Sequence, residues 1–185
     1  AGTQTTVQDF PGRTGYWAVG VPPSGPMDSR ALRLGNRLLG NDEGAAALEI
    51  TMSGPTLRFN TDAVVAVTGA AIPLKVDDVV QPLCTALLVK SGSTLSLGTI
   101  AGVGARSYLC IRGGLQVPDY LGSKSTFTLG QFGGHGGRAQ RTGAHQDAKG
   151  ARATCSIWRL SPMTSTAPGC RRSCAARCRR CAKFA

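Results

Sequence analysis

The chain has 185 residues, is 42% hydrophobic and 5% aromatic, and carries a formal charge of +11. That length buries one good core, or one core and a tail, and no apolar run reaches the roughly 18 residues of a membrane-spanning helix. The charge divides unevenly and excludes a basic nucleic-acid groove in the body: residues 1–145 hold 12 Lys and Arg against 9 Asp and Glu, a net of +3, whereas residues 146–185 hold 9 against the single Asp147, a net of +8.

The first readable element is "VGVPPSGPMDSRALRLGNRLLGN", residues 19–41. Its prolines and glycine stiffen a turn that leads straight into helical spacing. Asp28 or Ser29 caps the first free N–H groups. Ala31, Leu34 and Leu38, with Leu32 and Leu39, supply an apolar stripe, and Gly40-Asn41 is the left-handed stop. "ALEITM" (47–52) and "TLRF" (56–59) then flank a Ser53-Gly54-Pro55 turn. Five short strand patterns follow: "AVVAVTG" (63–69), "IPLKV" (72–76), "TALLV" (85–89), "TLSLG" (94–98) and "SYLCI" (107–111). Their spacing is that of sandwiches and barrels, and Asp77-Asp78 reads as a hairpin turn. The class is mainly β, mostly antiparallel, with one covering helix. Cys84 and Cys110 lie in strand-like apolar surroundings, where a reduced, buried thiol in a cytosolic protein is expected.

After about Thr142 the composition turns to Ala, Arg, Cys, Ser, Gly, Pro and Thr with little periodicity. The domain is therefore read as residues 1–143, and 144–185 as an irregular, basic, Cys/Arg-rich tail, disordered or produced by a shifted reading frame. Within it "CRRSCAARCRRC" (170–181) would align four thiols on one helix face. It offers no second element of the kind that structural zinc sites use. No secretory leader pattern is present at the N-terminus, and without an initiator Met the chain is expected to be a piece of something longer or a processed form.

Several stretches invite a chemical reading. "GSKST" (122–126) fails as a phosphate loop, since the glycine positions hold Ser123 and Pro118. "GQFGGHGGR" (130–138) could bring backbone N–H groups to an anion, or it is a tight crossing loop; its lone His135 lacks the partners of a metal site. Asp28 opens the helix. Glu49 sits in a half-buried strand and needs a partner, for which Arg30, Arg33 and Arg37 are the nearby cations.

Taken in order, "TTVQDFPGRTGYWAVGVPPSGPMDSRALRLGNRLLGN", "AAALEITMSGPTLRF", "VVAVTGA" and "SYLCIRGGLQVPDYLGSKSTFTLGQFGGHGGR" resemble the biotin-dependent carboxyltransferase family also called allophanate hydrolase subunit 2. "FPGRTGYW", "SGPMD" and "STFTLGQFGGHGGR" are most similar to the carboxyltransferase domains of urea carboxylase and fused urea amidolyase. The resemblance covers about residues 3–143. It implies a cyclophilin-like β-barrel, here partial, and carboxyl transfer from carboxybiotin to urea to give allophanate. Relatives serve as 5-oxoprolinase subunits or as regulatory binding subunits.

The same resemblance implies biotin on a mobile carrier domain, with ATP and Mg²⁺ used by a separate biotin carboxylase domain. It also implies a subunit 1-like partner subdomain. The candidate residues are Asp28 or Glu49 to orient urea, Asn36 as an amide partner, Ser24 as a further polar contact, and Arg138 or His135 near a carboxylate. No metal ligand set is expected. The family continues after "GGR" with a "TGD" segment and further strands, whereas here "RTG" runs into "AHQDAKGARATC". The polypeptide is therefore expected to be inactive alone, with one wall of its site supplied from elsewhere.

Overall fold

The computed structural model describes residues 3–134 and 136–137. His135, Arg138 and the whole 144–185 tail lie outside them. The described residues form nine strands and one α-helix in the order β1 (Gln4–Gln8), α1 (Ser29–Leu38), β2 (Ala47–Thr51), β3 (Thr56–Arg58), β4 (Ala63–Gly69), β5 (Leu74–Val76), β6 (Val79–Val80), β7 (Leu87–Val89), β8 (Thr94–Leu97) and β9 (Arg106–Ile111). A single 3₁₀ turn, Trp17–Val19, precedes the helix.

Two antiparallel sheets, in strand orders β1-β2-β9-β4-β7 and β3-β8-β5-β6, make a partial, unclosed barrel. Strand alternation sorts the larger sheet's side chains onto two faces. Ile50, Val65, Val67 and Leu109 point toward Leu74, Leu95 and Leu97 of the smaller sheet and form the main core. Ala47, Ala66, Tyr108 and Cys110 point the other way and pack with Ala31, Leu32 and Leu39 of α1. Burying each large aliphatic side chain contributes about 1.5–3 kcal/mol, so the inter-sheet cluster dominates stability. The helix lies over the second, thinner layer.

That layer is thin because α1 approaches on a small residue. A Cβ on Gly35 would sit 2.6 Å from Cys110 Sγ and 2.9 Å from Thr68 Oγ1. The buried face of the helix is Ala31, Leu32, Gly35 and Asn36, continued by Leu39. This corrects the expected stripe: Leu34 and Leu38 are 47% and 38% exposed. They lie further round the cylinder than the residues that meet the sheet, and apolar character alone could not fix the phase. Leu39 caps the helix and Gly40 turns left-handed at φ 70°.

The hairpin at Asp77-Asp78 forms with both residues at positive φ, 48° and 64°, joining β5 to β6 as a primed turn requires. Cys84 is a second correction. It is exposed at φ 54° in the loop before β7, not buried, and of the two described cysteines only Cys110 is enclosed. Burial pushes the Cys110 thiol up to about 12.

Candidate functional site

The site grows out of one row of side chains running across the larger sheet. Register places Thr6 beside Glu49, Glu49 beside Tyr108, and Tyr108 beside Thr68, all on the face that α1 covers. At the far end of the row, Thr68 donates its hydroxyl hydrogen to the Ala31 carbonyl at 2.7 Å. In the middle, the Tyr108 hydroxyl donates to Glu49 Oε2 at 2.7 Å and accepts from the Asp28 amide at 2.7 Å. Glu49 Oε2 also accepts from the Met27 amide at 2.8 Å. Two strand side chains thus grip the backbone just ahead of the helix.

That grip sets where Asp28 stands. Asp28 is the helix cap, its Oδ1 accepting from the amides of Arg30 and Ala31 at 3.1 Å each. An anionic cap also suits the positive end of the helix dipole. Oδ2 has no partner among the described residues, and Asp28 is exposed. Burial drives the Tyr108 hydroxyl far above the ordinary tyrosine range; the Asp28 amide opposes this and the Glu49 carboxylate reinforces it. Tyr108 therefore stays protonated and keeps its donor on Glu49.

Beside Asp28 opens a cleft of about 410 Å³. It is lined by Met27 and Asp28 from the turn ahead of α1, by Gly69 and Ala70 at the end of β4, and by residues 103–106 leading into β9. Arg106 is the cation of this cleft. Its Nε lies 3.6 Å from Glu49 Oε1, so the ion pair of Glu49 is with a neighbouring strand. The helix arginines anticipated from sequence are engaged elsewhere or exposed: Arg33 and Arg37 pair with Glu43.

The structure brings Asp28 and Glu49 together through one hydroxyl. Asn36 is elsewhere: it is buried under the helix, its amide donating to the Glu43 and Ala45 carbonyls and its oxygen accepting from Asn41. Ser24 is also used internally. Its hydroxyl accepts from Arg13 Nη1 at 2.7 Å, and its backbone pairs with Arg13 in both directions. His135 and Arg138 lie outside the described residues.

The Ser24 contact explains the stiff corner. "FPGR" and "PSGP" close on each other so tightly that a Cβ on Gly12 would collide with the Ser24 carbonyl oxygen. Arg13, 1% exposed, donates to the carbonyls of Tyr120, Ser123 and Ser125 and stacks 4.8 Å over the Phe132 ring. Burial lowers its pKa against the pull of Asp9 and Asp119. Asp9 in turn accepts from Ser123, Lys124 and Ser125. "GSKST" is thus a structural clamp on the end of β1.

Sequence reasoning passed over Tyr108, Arg106 and the Met27 amide. A signal existed for Tyr108: in "SYLCI" it alternates onto the face of Cys110, and a buried tyrosine hydroxyl needs a partner. Nothing local marked Arg106 as the cation for Glu49, because the pairing depends on sheet register.

Comparison with known proteins adds an independent line. A family profile described as carboxyltransferase domain, subdomain A and B, matches residues 19–171. Urea amidolyase of Saccharomyces cerevisiae is 50% identical over 142 residues, 77% of this chain and 8% of that protein. A 5-oxoprolinase subunit of Escherichia coli is 42% identical over 143 residues, 77% of this chain and 46% of that protein. The crystal structures of the Kluyveromyces lactis urea amidolyase and urea carboxylase each match with a TM-score of 0.74 at 51% identity, covering 77% of this chain and 9% and 13% of those chains. The chain spans less than half the length of each of these relatives.

Proposed function

The chain belongs to the family of carboxyltransferase domains built from subdomains A and B, and from that membership we propose that it contributes one wall of a site that transfers a carboxyl group from carboxybiotin to urea, giving allophanate. One observation carries the reading: Asp28 lines a cleft together with Arg106, and the backbone that carries Asp28 is held by the Tyr108 hydroxyl and the Glu49 carboxylate. The 50% identity to a urea amidolyase, against 42% to a 5-oxoprolinase subunit, supports urea as the acceptor.

Asp28 is the group that orients urea. Its Oδ2 accepts an N–H of the amide, while Oδ1 remains committed to the helix amides. Glu49 and Tyr108 are positioning residues: they hold the Met27–Asp28 backbone so that the carboxylate does not drift as the cleft fills. Preorganisation of this kind lowers the reorganisation needed at the reacting centre. Asn36 and Ser24 are engaged within the protein and stabilise the walls, while Arg138 or His135 is kept in this reading as a contact to a carboxylate.

The cleft suits biotin in its donors and in its rim. Met27 and Val103, apolar side chains 72% and 97% exposed, would pack against the fused rings, and the bound group would supply the transferable carboxyl. The biotin carrier, the ATP- and Mg²⁺-using biotin carboxylase and a subunit 1-like subdomain forming the facing wall are separate domains in this reading.

The test is co-assembly with biotin carboxylase and biotinylated carrier domains, followed by assay of acceptor-dependent ATP turnover. Urea stimulates turnover if the reading is right. The second reading, a 5-oxoprolinase subunit, is favoured by the 5-oxoprolinase relative and gives stimulation by 5-oxoproline alone. A non-catalytic binding role gives stimulation by neither.

A further inference from the structure

Arg106 has more donors than the described residues use. Nη1 donates to the Ala105 carbonyl at 3.1 Å. Nε is buried without a hydrogen-bond partner among the described residues, standing 3.6 Å from Glu49 Oε1, which is beyond hydrogen-bond reach. The other Glu49 oxygen is already taken by the Met27 amide and the Tyr108 hydroxyl. Glu49 therefore balances the guanidinium charge loosely, and Nη2 is left without a protein acceptor among the described residues.

The backbone agrees. Gly104 and Ala105, which line the same cleft, have N–H groups with no protein acceptor among the described residues. Consecutive amides next to a guanidinium make an anion-binding concavity, and a guanidinium presents two parallel donors to a carboxylate. Asp28, an acceptor suited to an amide N–H, lines the same cleft. A guanidinium with two amides and a carboxylate in one cleft offers partners for a small molecule that carries both a carboxylate and an amide.

We propose that Arg106 and the Gly104 and Ala105 amides form a carboxylate subsite that receives the carboxylate of the N-carboxylated urea product, while Asp28 holds its amide end. The inference rests on the urea reading above and adds a residue that selects product over substrate, since urea has no carboxylate to place there.

The experiment uses two analogues of the product. Malonamate replaces its bridging nitrogen with a methylene and keeps the carboxylate; biuret replaces the carboxylate with a neutral amide. Each is titrated into the isotopically labelled full chain and followed through the amide resonances of Gly104 and Ala105. Malonamate is expected to shift both and to bind about tenfold tighter than biuret. Arg106→Gln removes the preference and Arg106→Lys restores part of it, with thermal unfolding reporting whether each variant folds. Measurable binding of both probes to the wild-type chain with equal affinity, a preference that survives Arg106→Gln, or no Arg106-dependent binding of either malonamate or 5-oxoproline overturns the subsite. A titration with 5-oxoproline separates the two claims: Arg106-dependent binding of 5-oxoproline without binding of malonamate upholds the carboxylate subsite and overturns the urea reading.

Discussion

Replacing Tyr108 with Phe removes one oxygen from the centre of the site and leaves the ring in place. The hydroxyl makes two bonds of 2.7 Å, donating to the Glu49 carboxylate and accepting from the Asp28 amide. The first involves a charged acceptor in a buried setting and contributes about 1.5–3 kcal/mol. The second contributes about 0.5–1 kcal/mol, because Asp28 is exposed and water can reach part of its backbone. The expected loss is about 2–4 kcal/mol, measured by guanidinium chloride unfolding followed by circular dichroism. If the tyrosine merely filled volume, Phe would cost well under 1 kcal/mol. A loss below about 0.5 kcal/mol refutes the reasoning. Glu49→Gln provides the second leg of a cycle: it keeps the shape and an acceptor but loses the charge. A coupling energy of about 1–2 kcal/mol between the two substitutions is expected, and additivity would show that the hydroxyl and carboxylate act independently.

Three further outcomes follow from the same geometry. Tyr108 is held protonated in the folded chain while its unfolded counterpart ionises near pH 10. The unfolded state then binds fewer protons, so stability present below that pH falls as pH rises through about 10, by up to about 1.4 kcal/mol per unit; the decline is shallower in Tyr108→Phe. Gly35→Ala drives a methyl into Cys110 Sγ and Thr68 Oγ1 and is expected to cost about 1–3 kcal/mol, with Cys110→Ala recovering part of the loss in the same unfolding assay; no recovery would mean the strain lies elsewhere. Alkylation at mild alkaline pH, read by peptide mass mapping, modifies exposed Cys84 and spares Cys110, whose thiol burial pushes up to about 12; equal labelling contradicts the packing beneath α1.

The elements legible in the sequence were those with local causes. Asp28 announces the helix because an acidic residue ahead of an apolar stripe has one obvious task, and it performs it. The 47–52 and 63–111 patterns mark strands at nearly their true places. β1 was not legible as a strand, because "QTTVQ" carries one large apolar residue and its threonines are buried through pairing with β2. The helix phase failed for a related reason: the sheet accepts Gly35 and Asn36 and leaves Leu34 outside, a choice made by the neighbouring strands.

The site divided along the same line. Asp28 and Glu49 were legible as chemistry-bearing carboxylates in suggestive settings. What joins them was not: Tyr108 and Arg106 come from a strand distant in sequence, and only the register of β2 against β9 sets them beside Glu49. Arg33 and Arg37 are near Glu49 in sequence, yet both pair with Glu43 in the loop that follows the helix. The resemblance implies Ser24 as a polar contact to substrate. Its acceptor is consumed by a buried arginine whose own pattern, one charge in "FPGR", gave no hint of burial.

The most direct test of the central claim is a single-turnover discharge. A carrier domain bearing radiolabelled carboxybiotin is mixed with the assembled carboxyltransferase containing this chain, with and without urea. The account predicts that urea releases the label from the carrier into an acid-labile product, and that Asp28→Asn, which keeps the helix cap but removes the charge, slows release by about 10–100-fold. Label that stays on the carrier in the presence of urea but leaves on addition of 5-oxoproline would contradict it.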